Sequence, residues 1–174
     1  MLHIITGPMF SGKTSYLSTH LPPKSLYINH CLDTRGEFFY SHNTSLTFLE
    51  DITCIKTDKL SDDIVKGFDI IGIDEAQFFK HLKPTILRWV ENMGKTVYVA
   101  GLNCDYKRDK FGEISDLFAY CDSVTKLTAY CICGKDAMFS HRLHKSNDQI
   151  VVGSSEYEPL CRKCFTERNN TIGK

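Results

Sequence analysis

Short apolar runs rich in β-branched residues alternate with polar, helix-forming stretches through the first 127 residues of the chain. The apolar runs, which predict β-strands, cover residues 2–6, 25–29, 52–55, 69–73, 96–100 and 123–127. The stretches between them predict helices over residues 13–20, 61–67, 84–93 and 113–120. This alternation predicts an α/β fold with a mostly parallel sheet, and such sheets bind ligands beyond the carboxyl ends of their strands.

The alternation stops near Thr128, and the rest of the chain differs in composition. Glycines, cysteines and short strands dominate there, and no helix is well specified. We therefore expect a core over residues 1–127, a small second module over residues 128–165 and a polar tail over residues 166–174.

A glycine-rich segment follows the first predicted strand directly. Residues 7–14 match every fixed position of the phosphate-binding pattern G-x-x-x-x-G-K-[ST]. Gly7 and Gly12 allow the backbone to turn its N–H groups toward phosphate oxygens. Lys13 adds a positive charge, and the Thr14 hydroxyl is placed to bind Mg²⁺. The pattern predicts a nucleoside triphosphate site, and the alternative is a glycine turn that binds nothing.

Two carboxylates, Asp74 and Glu75, follow the fourth predicted strand. In P-loop enzymes an aspartate at this position holds Mg²⁺, here through water. Glu75 points off the strand end toward the acceptor of the γ-phosphoryl group, and it is the candidate general base. The pair could instead only cap the next helix, but the complete phosphate-binding pattern upstream favours catalysis.

A short charged segment, Asp33-Thr34-Arg35, follows the second predicted strand at the same edge of the sheet. Arg35 is therefore a candidate for stabilising charge on the transferring phosphoryl group. The alternative is an Asp–Arg pair in solvent.

Four cysteines of the second module form two close pairs. Cys131 and Cys133 are separated by residues 134–160 from Cys161 and Cys164. This spacing resembles a structural zinc site with four thiolates, which stabilises a module and takes no part in catalysis. Buried thiols without a metal are the alternative. The first pair has one residue between its cysteines, where zinc sites usually have at least two.

The charge balance limits the class of substrate. The chain has 174 residues, with 21 basic and 21 acidic side chains. Such a balance gives no basic field for a nucleic acid, so we expect a small, discrete substrate. No apolar run approaches the length of a membrane span, and no apolar leader follows Met1. We therefore expect a cytoplasmic protein that binds neither nucleic acid nor membrane.

Five motifs in order along the chain resemble the thymidine kinase family of the cellular and poxviral type. They lie at residues 7–14, 33–35, 73–79, 100–112, and 142–143 together with 161–164. The resemblance covers about residues 2–165. It implies ATP-dependent phosphorylation of the 5′-hydroxyl of thymidine, with catalytic Mg²⁺ and structural Zn²⁺. It also implies that Glu75 is the proton acceptor, while Lys13 and Arg35 counter the developing charge.

The resemblance implies two sets of binding residues. The ATP and Mg²⁺ set consists of Gly7, Pro8, Met9, Phe10, Ser11, Gly12, Lys13, Thr14, Asp33, Thr34, Arg35, Asp74, Glu75, Ala76 and Gln77. The nucleoside set consists of Leu102, Tyr106, Phe111, Ser140, Asp148, Gln149, Ile150, Val151, Val152 and Tyr157. In the family, main-chain groups of a lasso-like loop, here residues 148–152 with Tyr157, hydrogen-bond the pyrimidine. Without the resemblance, Tyr106, Phe111 and Tyr157 are better interpreted as ordinary packing residues.

The resemblance further implies a homotetramer and feedback inhibition by thymidine triphosphate (dTTP). The chain departs from the family pattern at Gly36, Asn43 and Ser140, the last of which stands where a threonine usually flanks the thymine methyl. Two other functions stay open: a zinc-containing P-loop ATPase that acts on nucleic acid, and a nucleotide-sensing module without turnover. The neutral charge balance weighs against the first, and Glu75 beside Asp74 weighs against the second.

Overall fold

The central element of the fold is a sheet of six parallel strands. The computed structural model describes residues 1–33, 51–144, 148–151 and 156–171. The strands are β1 (Leu2–Thr6), β2 (Leu26–His30), β3 (Thr53–Thr57), β4 (Ile70–Ile73), β5 (Thr96–Gly101) and β6 (Ser123–Lys126). Their order is β3-β2-β4-β5-β1-β6, and every neighbouring pair is parallel. The predicted α/β fold with a mostly parallel sheet is confirmed.

Alternating side chains of the strands build two hydrophobic layers. Leu2 and Ile4 of β1 pack in one layer with Ile86 and Trp89, all of them fully buried. Ile5, the next residue of β1, packs in the opposite layer with the helix that follows the strand. Because successive side chains of a strand point to opposite faces, one apolar run supplies both layers. All six strands end at the same edge, where the loops after β1, β2, β4 and β5 meet.

The helices differ more from the prediction than the strands do. Helix α1 (Lys13–His20) has the predicted bounds. The stretches predicted as helices over residues 61–67 and 113–120 form only single 3₁₀ turns, at Asp62–Val65 and Ile114–Leu117. Both turns bury apolar side chains, Val65 in the first and Ile114 and Leu117 in the second, but neither continues as an α-helix.

Helix α2 (Leu82–Leu87) begins two residues before the predicted start and continues as a π-helical turn over Arg88–Asn92. Its first turn is fixed by a distant side chain, because Glu113 Oε2 accepts a hydrogen bond of 2.7 Å from the backbone N–H of Lys83. In the π-helical turn, Trp89 is fully buried, and its indole N–H donates to Asp62 Oδ1 at 2.8 Å.

The second module consists of two antiparallel strand pairs and a helix. Strand β7 (Ala129–Tyr130) pairs with β8 (Asp136–Ala137), and β9 (Phe139–Arg142) pairs with β10 (Tyr157–Leu160). These elements share a separate hydrophobic cluster. None of the helices that the structure describes is both long and apolar enough to cross a membrane.

Helix α3 (Arg162–Thr171) lies where the sequence analysis found no well-specified helix and expected a polar tail from residue 166. Phe165 anchors it, being 3% exposed and 5.2 Å from the ring of Phe139. Arg168 Nη1 lies 3.0 Å from Glu158 Oε1. The sequence gives little helical signal because Cys161, Cys164 and Phe165 alone supply the apolar face, while the following residues are polar.

Candidate active site

The glycine-rich segment connects β1 to α1 in a tight turn. Gly12 has φ +77°, a left-handed conformation that favours glycine, and its carbonyl accepts the backbone N–H of Tyr16 at 2.8 Å. Gly7 must also be small, because a Cβ there would lie 2.5 Å from the carbonyl oxygen of Leu127. The Lys13 ammonium folds back over the loop and donates to the carbonyl of Pro8 at 2.8 Å. A loop closed by its own lysine is the form expected of a phosphate cradle.

The Asp74 carboxylate connects three elements of the core. It is 1% exposed, and its Oδ2 accepts hydrogen bonds from the Thr14 hydroxyl at 2.7 Å and from the Tyr27 hydroxyl at 2.8 Å. Its Oδ1 accepts the backbone N–H of Glu75 at 2.9 Å. The predicted neighbours Thr14 and Asp74 are therefore in direct contact, and Tyr27 is a third partner.

Burial controls the protonation of this carboxyl. Desolvation, and then the negative charge of Glu75, raise the pKa of Asp74 to about 6, although the bonds from Thr14 and Tyr27 oppose the shift. Burial and the nearby Asp74 charge raise the pKa of Tyr27 well above its usual value. Among the described residues, no positive charge is a cause that lowers this pKa, so a bound cation would favour the ionised form. The oxygens of Thr14 and Asp74, 2.7 Å apart, are of the type that Mg²⁺ prefers and lie close enough to face one ion, which keeps several of its waters.

Glu75 is held in position by its own backbone conformation and by the side chain of Gln77. Its backbone has φ +51°, which is unusual for a residue other than glycine. Its Oε2 accepts the side-chain N–H of Gln77 at 2.6 Å, and Gln77 Oε1 accepts the backbone N–H of Leu102 at 3.0 Å. A Cβ at Gly101 would lie 2.3 Å from Gln77 Oε1, so the small residue at the end of β5 makes room for this chain of bonds. Glu75 remains partly exposed and available to a ligand.

The segment after β2 is described only as far as Asp33. This residue is buried, and its Oδ2 accepts the side-chain N–H of Asn29 at 3.1 Å. Thr34 and Arg35 lie outside the described residues, and so does Val152.

The residues expected to bind the nucleoside lie around the loop after β5 and on β9 and β10. Phe111 is 7% exposed and meets Phe78 edge to face, with ring centroids 5.6 Å apart. The Ser140 hydroxyl accepts the backbone N–H of Met9 at 2.9 Å, so β9 contacts the phosphate-binding loop. Tyr106 and Tyr157 lie on the Arg142 guanidinium rather than on each other.

Sequence reasoning missed three polar residues of this region. Tyr27 lies within an apolar strand, so the sequence pattern indicates only a core residue. Asp105 has no motif, although it accepts the backbone N–H groups of Lys107 and Asp109 at 2.8 and 3.0 Å and the amide of Gln149 at 3.0 Å. Arg142 was noted only as part of a motif. The structure places this arginine at the end of β9, where its buried side chain needs several acceptors.

The four cysteines of the second module converge on one point. The sulfurs of Cys131, Cys133, Cys161 and Cys164 all lie within 4.8 Å of one another. Four thiolates at the usual zinc–sulfur distance of about 2.3 Å are about 3.8 Å apart, so the group fits a tetrahedral metal site. The one-residue spacing is accommodated at the tip of the β7–β8 hairpin, where the backbone N–H of Cys131 donates to the carbonyl of Lys135 at 2.9 Å.

The thiols of the cluster do not ionise alike. Burial raises the pKa of the Cys131 thiol, but the backbone N–H groups of Cys133 and Cys161 and the neighbouring thiols lower it by more, to about 6. Hydrogen bonds with the other three cysteines raise the pKa of the Cys164 thiol to about 12. A thiolate is the form that binds a metal. The predicted four-cysteine group is confirmed as a possible metal site.

Comparisons with known proteins give one consistent result. The family model described as thymidine kinase matches residues 1–165. The thymidine kinase of fowlpox virus is 38% identical, over 94% of this chain and 96% of its own length. The thymidine kinase of Bacteroides thetaiotaomicron is 34% identical, over 99% of this chain and 90% of its own. The cytosolic thymidine kinase of Bos taurus is 34% identical, over 96% of this chain and 72% of its own.

Proposed function

The chain belongs to the thymidine kinase family, and from this premise we infer that it is an enzyme that phosphorylates thymidine. The donor is ATP, whose γ-phosphoryl group passes to the 5′-hydroxyl to give thymidine monophosphate and ADP. The observation that carries the proposal is the direct contact of Thr14 with Asp74, at 2.7 Å, beside the partly exposed carboxylate of Glu75. The comparisons do not favour an ATPase that acts on nucleic acid.

The phosphate-binding loop supplies the donor site in this proposal. Backbone N–H groups of residues 7–14 hold the ATP phosphates, and the Lys13 ammonium moves from the Pro8 carbonyl to a phosphate oxygen. Thr14 and Asp74 are the residues that hold Mg²⁺, which when bound neutralises charge on the transferring phosphoryl group. Asp33, Thr34 and Arg35 complete this site, with Arg35 countering the charge that develops in the transition state.

Glu75 takes the proton of the 5′-hydroxyl. Gln77 donates to its Oε2 at 2.6 Å and so holds the carboxylate at the edge of the sheet, next to the end of β5. The backbone N–H of Leu102 fixes Gln77 in turn. A base held by such a chain of bonds needs little reorganisation when the nucleoside arrives.

The nucleoside lies between the loop after β5 and the second module. Leu102, Tyr106, Phe111 and Ser140 enclose it, and main-chain groups of residues 148–152, with Tyr157, read the pyrimidine edge. Zn²⁺ on the four cysteines is the structural metal of the module. We further propose a cytoplasmic homotetramer inhibited by dTTP, which rests on the family resemblance; the bovine relative's name describes it as cytosolic.

We predict that ATP consumption by the purified protein requires thymidine and that single-stranded DNA does not replace it.

Ser140 leaves room beside the thymine methyl, so deoxyuridine and bulkier 5-substituted deoxyuridines remain substrates, with differences in kcat/KM worth about 1–3 kcal/mol. Deoxycytidine presents a donor where thymine presents an acceptor, so it is a much poorer substrate.

Measuring ATP consumption and kcat/KM with each nucleoside separately tests both expectations. ATP consumption that DNA stimulates, or that needs no added nucleoside, contradicts the proposed function. Equal kcat/KM for deoxycytidine and thymidine contradicts reading of the base by residues 148–152.

Replacing the candidate base tests the catalytic assignment. Glu75→Gln keeps the size of the side chain and an acceptor for Gln77 but removes the basic carboxylate, so kcat falls by roughly 10²–10⁴-fold with ATP affinity largely unchanged. The matched control is Glu91→Gln, which changes an exposed glutamate at the end of the α2 segment and leaves kcat unchanged. Near-normal turnover by Glu75→Gln shows that another group accepts the proton.

Metal analysis tests the cysteine cluster. We predict one zinc per chain, and loss of most of it in Cys131→Ser because a hydroxyl is a poor zinc ligand. Cys31→Ser, at an exposed cysteine outside the cluster, keeps its zinc. An active wild-type protein without stoichiometric zinc overturns the assignment, and full zinc in Cys131→Ser shows that a different fourth ligand is used.

A further inference from the structure

Strand β9 has two faces with different partners. Phe139 and His141 point toward helix α3, with ring centroids 5.2 and 5.8 Å from that of Phe165. Ser140 and Arg142 alternate with them and therefore point to the other face. There Ser140 contacts the phosphate-binding loop through the backbone N–H of Met9. One strand thus connects the metal-binding module to the candidate active site.

The Arg142 guanidinium is the centre of this second face. The residue is 5% exposed, and its guanidinium carbon lies 3.8 Å from the ring centroid of Tyr106 and 5.3 Å from that of Tyr157. Its Nη1 donates to the carbonyl of Asp148. Its Nη2 donates to the carbonyl of Gln149 at 3.0 Å and to the Tyr157 hydroxyl at 2.7 Å.

Most of these bonds hold the main chain of residues 148–151. Two consecutive carbonyls, of Asp148 and Gln149, accept from one guanidinium, and the Tyr157 hydroxyl donates to the carbonyl of Val151 at 3.2 Å. A planar fork with several donors can satisfy this arrangement, whereas an ammonium cannot stack on Tyr106 and reach two carbonyls and a hydroxyl at once. Hydrogen bonds from a charged donor in a buried site are also among the stronger ones.

A second contact ties the same segment to the core. The Gln149 amide donates to Asp105 Oδ2 at 3.0 Å and to the carbonyl of Lys110 at 3.2 Å. Asp105, 7% exposed, also accepts two backbone N–H groups of its own turn. That turn carries Tyr106 and leads directly to Phe111. The segment 148–151 is therefore held from β9 on one side and from the loop after β5 on the other.

We propose that Arg142 is a positioning residue for the nucleoside: it fixes the main-chain path of residues 148–151 opposite Tyr106, without touching the substrate itself. The proposal rests on the proposed function, because it assigns the pyrimidine edge to that segment. Without the Arg142 guanidinium, the main chain of residues 148–151 is no longer fixed, and the nucleoside must order it when it binds. The loop of residues 7–14 meets β9 at Ser140, through the backbone N–H of Met9, so the substitution of Arg142 does not remove that contact.

Kinetics of Arg142→Lys and Arg142→Met, beside Arg168→Met as the matched control, test the proposal. Arg168 belongs to the same module but pairs with Glu158 on the α3 side. For both Arg142 variants we expect the KM for thymidine to rise by about tenfold or more, the KM for ATP to stay within about twofold and kcat to change by less than about threefold. Arg168→Met leaves all three values unchanged.

Equal rises of both KM values, a loss confined to kcat, or unchanged kinetics overturn the positioning role. If Arg142→Met does not fold, Arg142→Lys carries the test, since it keeps the positive charge but cannot reach both carbonyls and the Tyr157 hydroxyl at once.

Backbone order parameters separate this proposal from the proposed function. In the ligand-free protein, ¹⁵N relaxation should give clearly lower order parameters for residues 149–151 in Arg142→Lys than in Arg168→Met, whether or not the wild-type protein phosphorylates thymidine. Equal order parameters in the two variants overturn the positioning role, whereas a wild-type protein without thymidine-dependent turnover overturns only the proposed function.

Discussion

The site depends on one buried carboxylate. Asp74 ends β4, accepts the hydroxyl of Thr14 from α1 and that of Tyr27 from β2, and so sets the distance between the phosphate-binding loop and the strands that carry the chemistry. Its raised pKa means that the protonated form stabilises the fold. That contribution is present below about pH 4 and is lost as the pH rises through about 6, so near neutral pH the ionised carboxylate destabilises the metal-free protein. A buried carboxyl with a strongly shifted pKa at this position is typical of a functional group, in agreement with the cation-binding role proposed for it.

The second constraint is the attachment of the small module to this core. The four sulfurs lie at one end of the module, and β9 carries Ser140 and Arg142 at the other. A metal that fixes the hairpin tip and the start of α3 also fixes the orientation of β9, because Phe165 packs on Phe139 and His141. The four-cysteine group and the proposed nucleoside site are thus linked through a single strand.

Local pattern explains the part of the structure that was predicted correctly. The six strands lie within two residues of their predicted bounds because buried parallel strands are continuous apolar runs, and α1 follows directly from the phosphate-binding pattern. The contact of Thr14 with Asp74 follows from the shared edge of a parallel sheet. The helices at residues 62–65 and 114–117 were overestimated because short amphipathic stretches do not distinguish a 3₁₀ turn from an α-helix. Tyr27 and Asp105 were missed because Tyr27 meets Asp74 and Asp105 meets Gln149, both distant in sequence. The role of Arg142 was missed because two of its partners are main-chain carbonyls, which every residue has.

The most direct test of this account is the titration of the Asp74 carboxyl, followed by NMR in protein with ¹³C-labelled aspartate and assigned with Asp74→Asn. In magnesium-free buffer the account predicts a pKa of about 6. With saturating Mg²⁺ and ATP the carboxyl should stay ionised down to about pH 4, because a bound cation favours the charged form. A carboxyl that titrates near the ordinary aspartate value of about 3.9 in the metal-free protein, or whose titration is unchanged by Mg²⁺ and ATP, would contradict the role of Asp74 as the buried cation ligand on which the site depends.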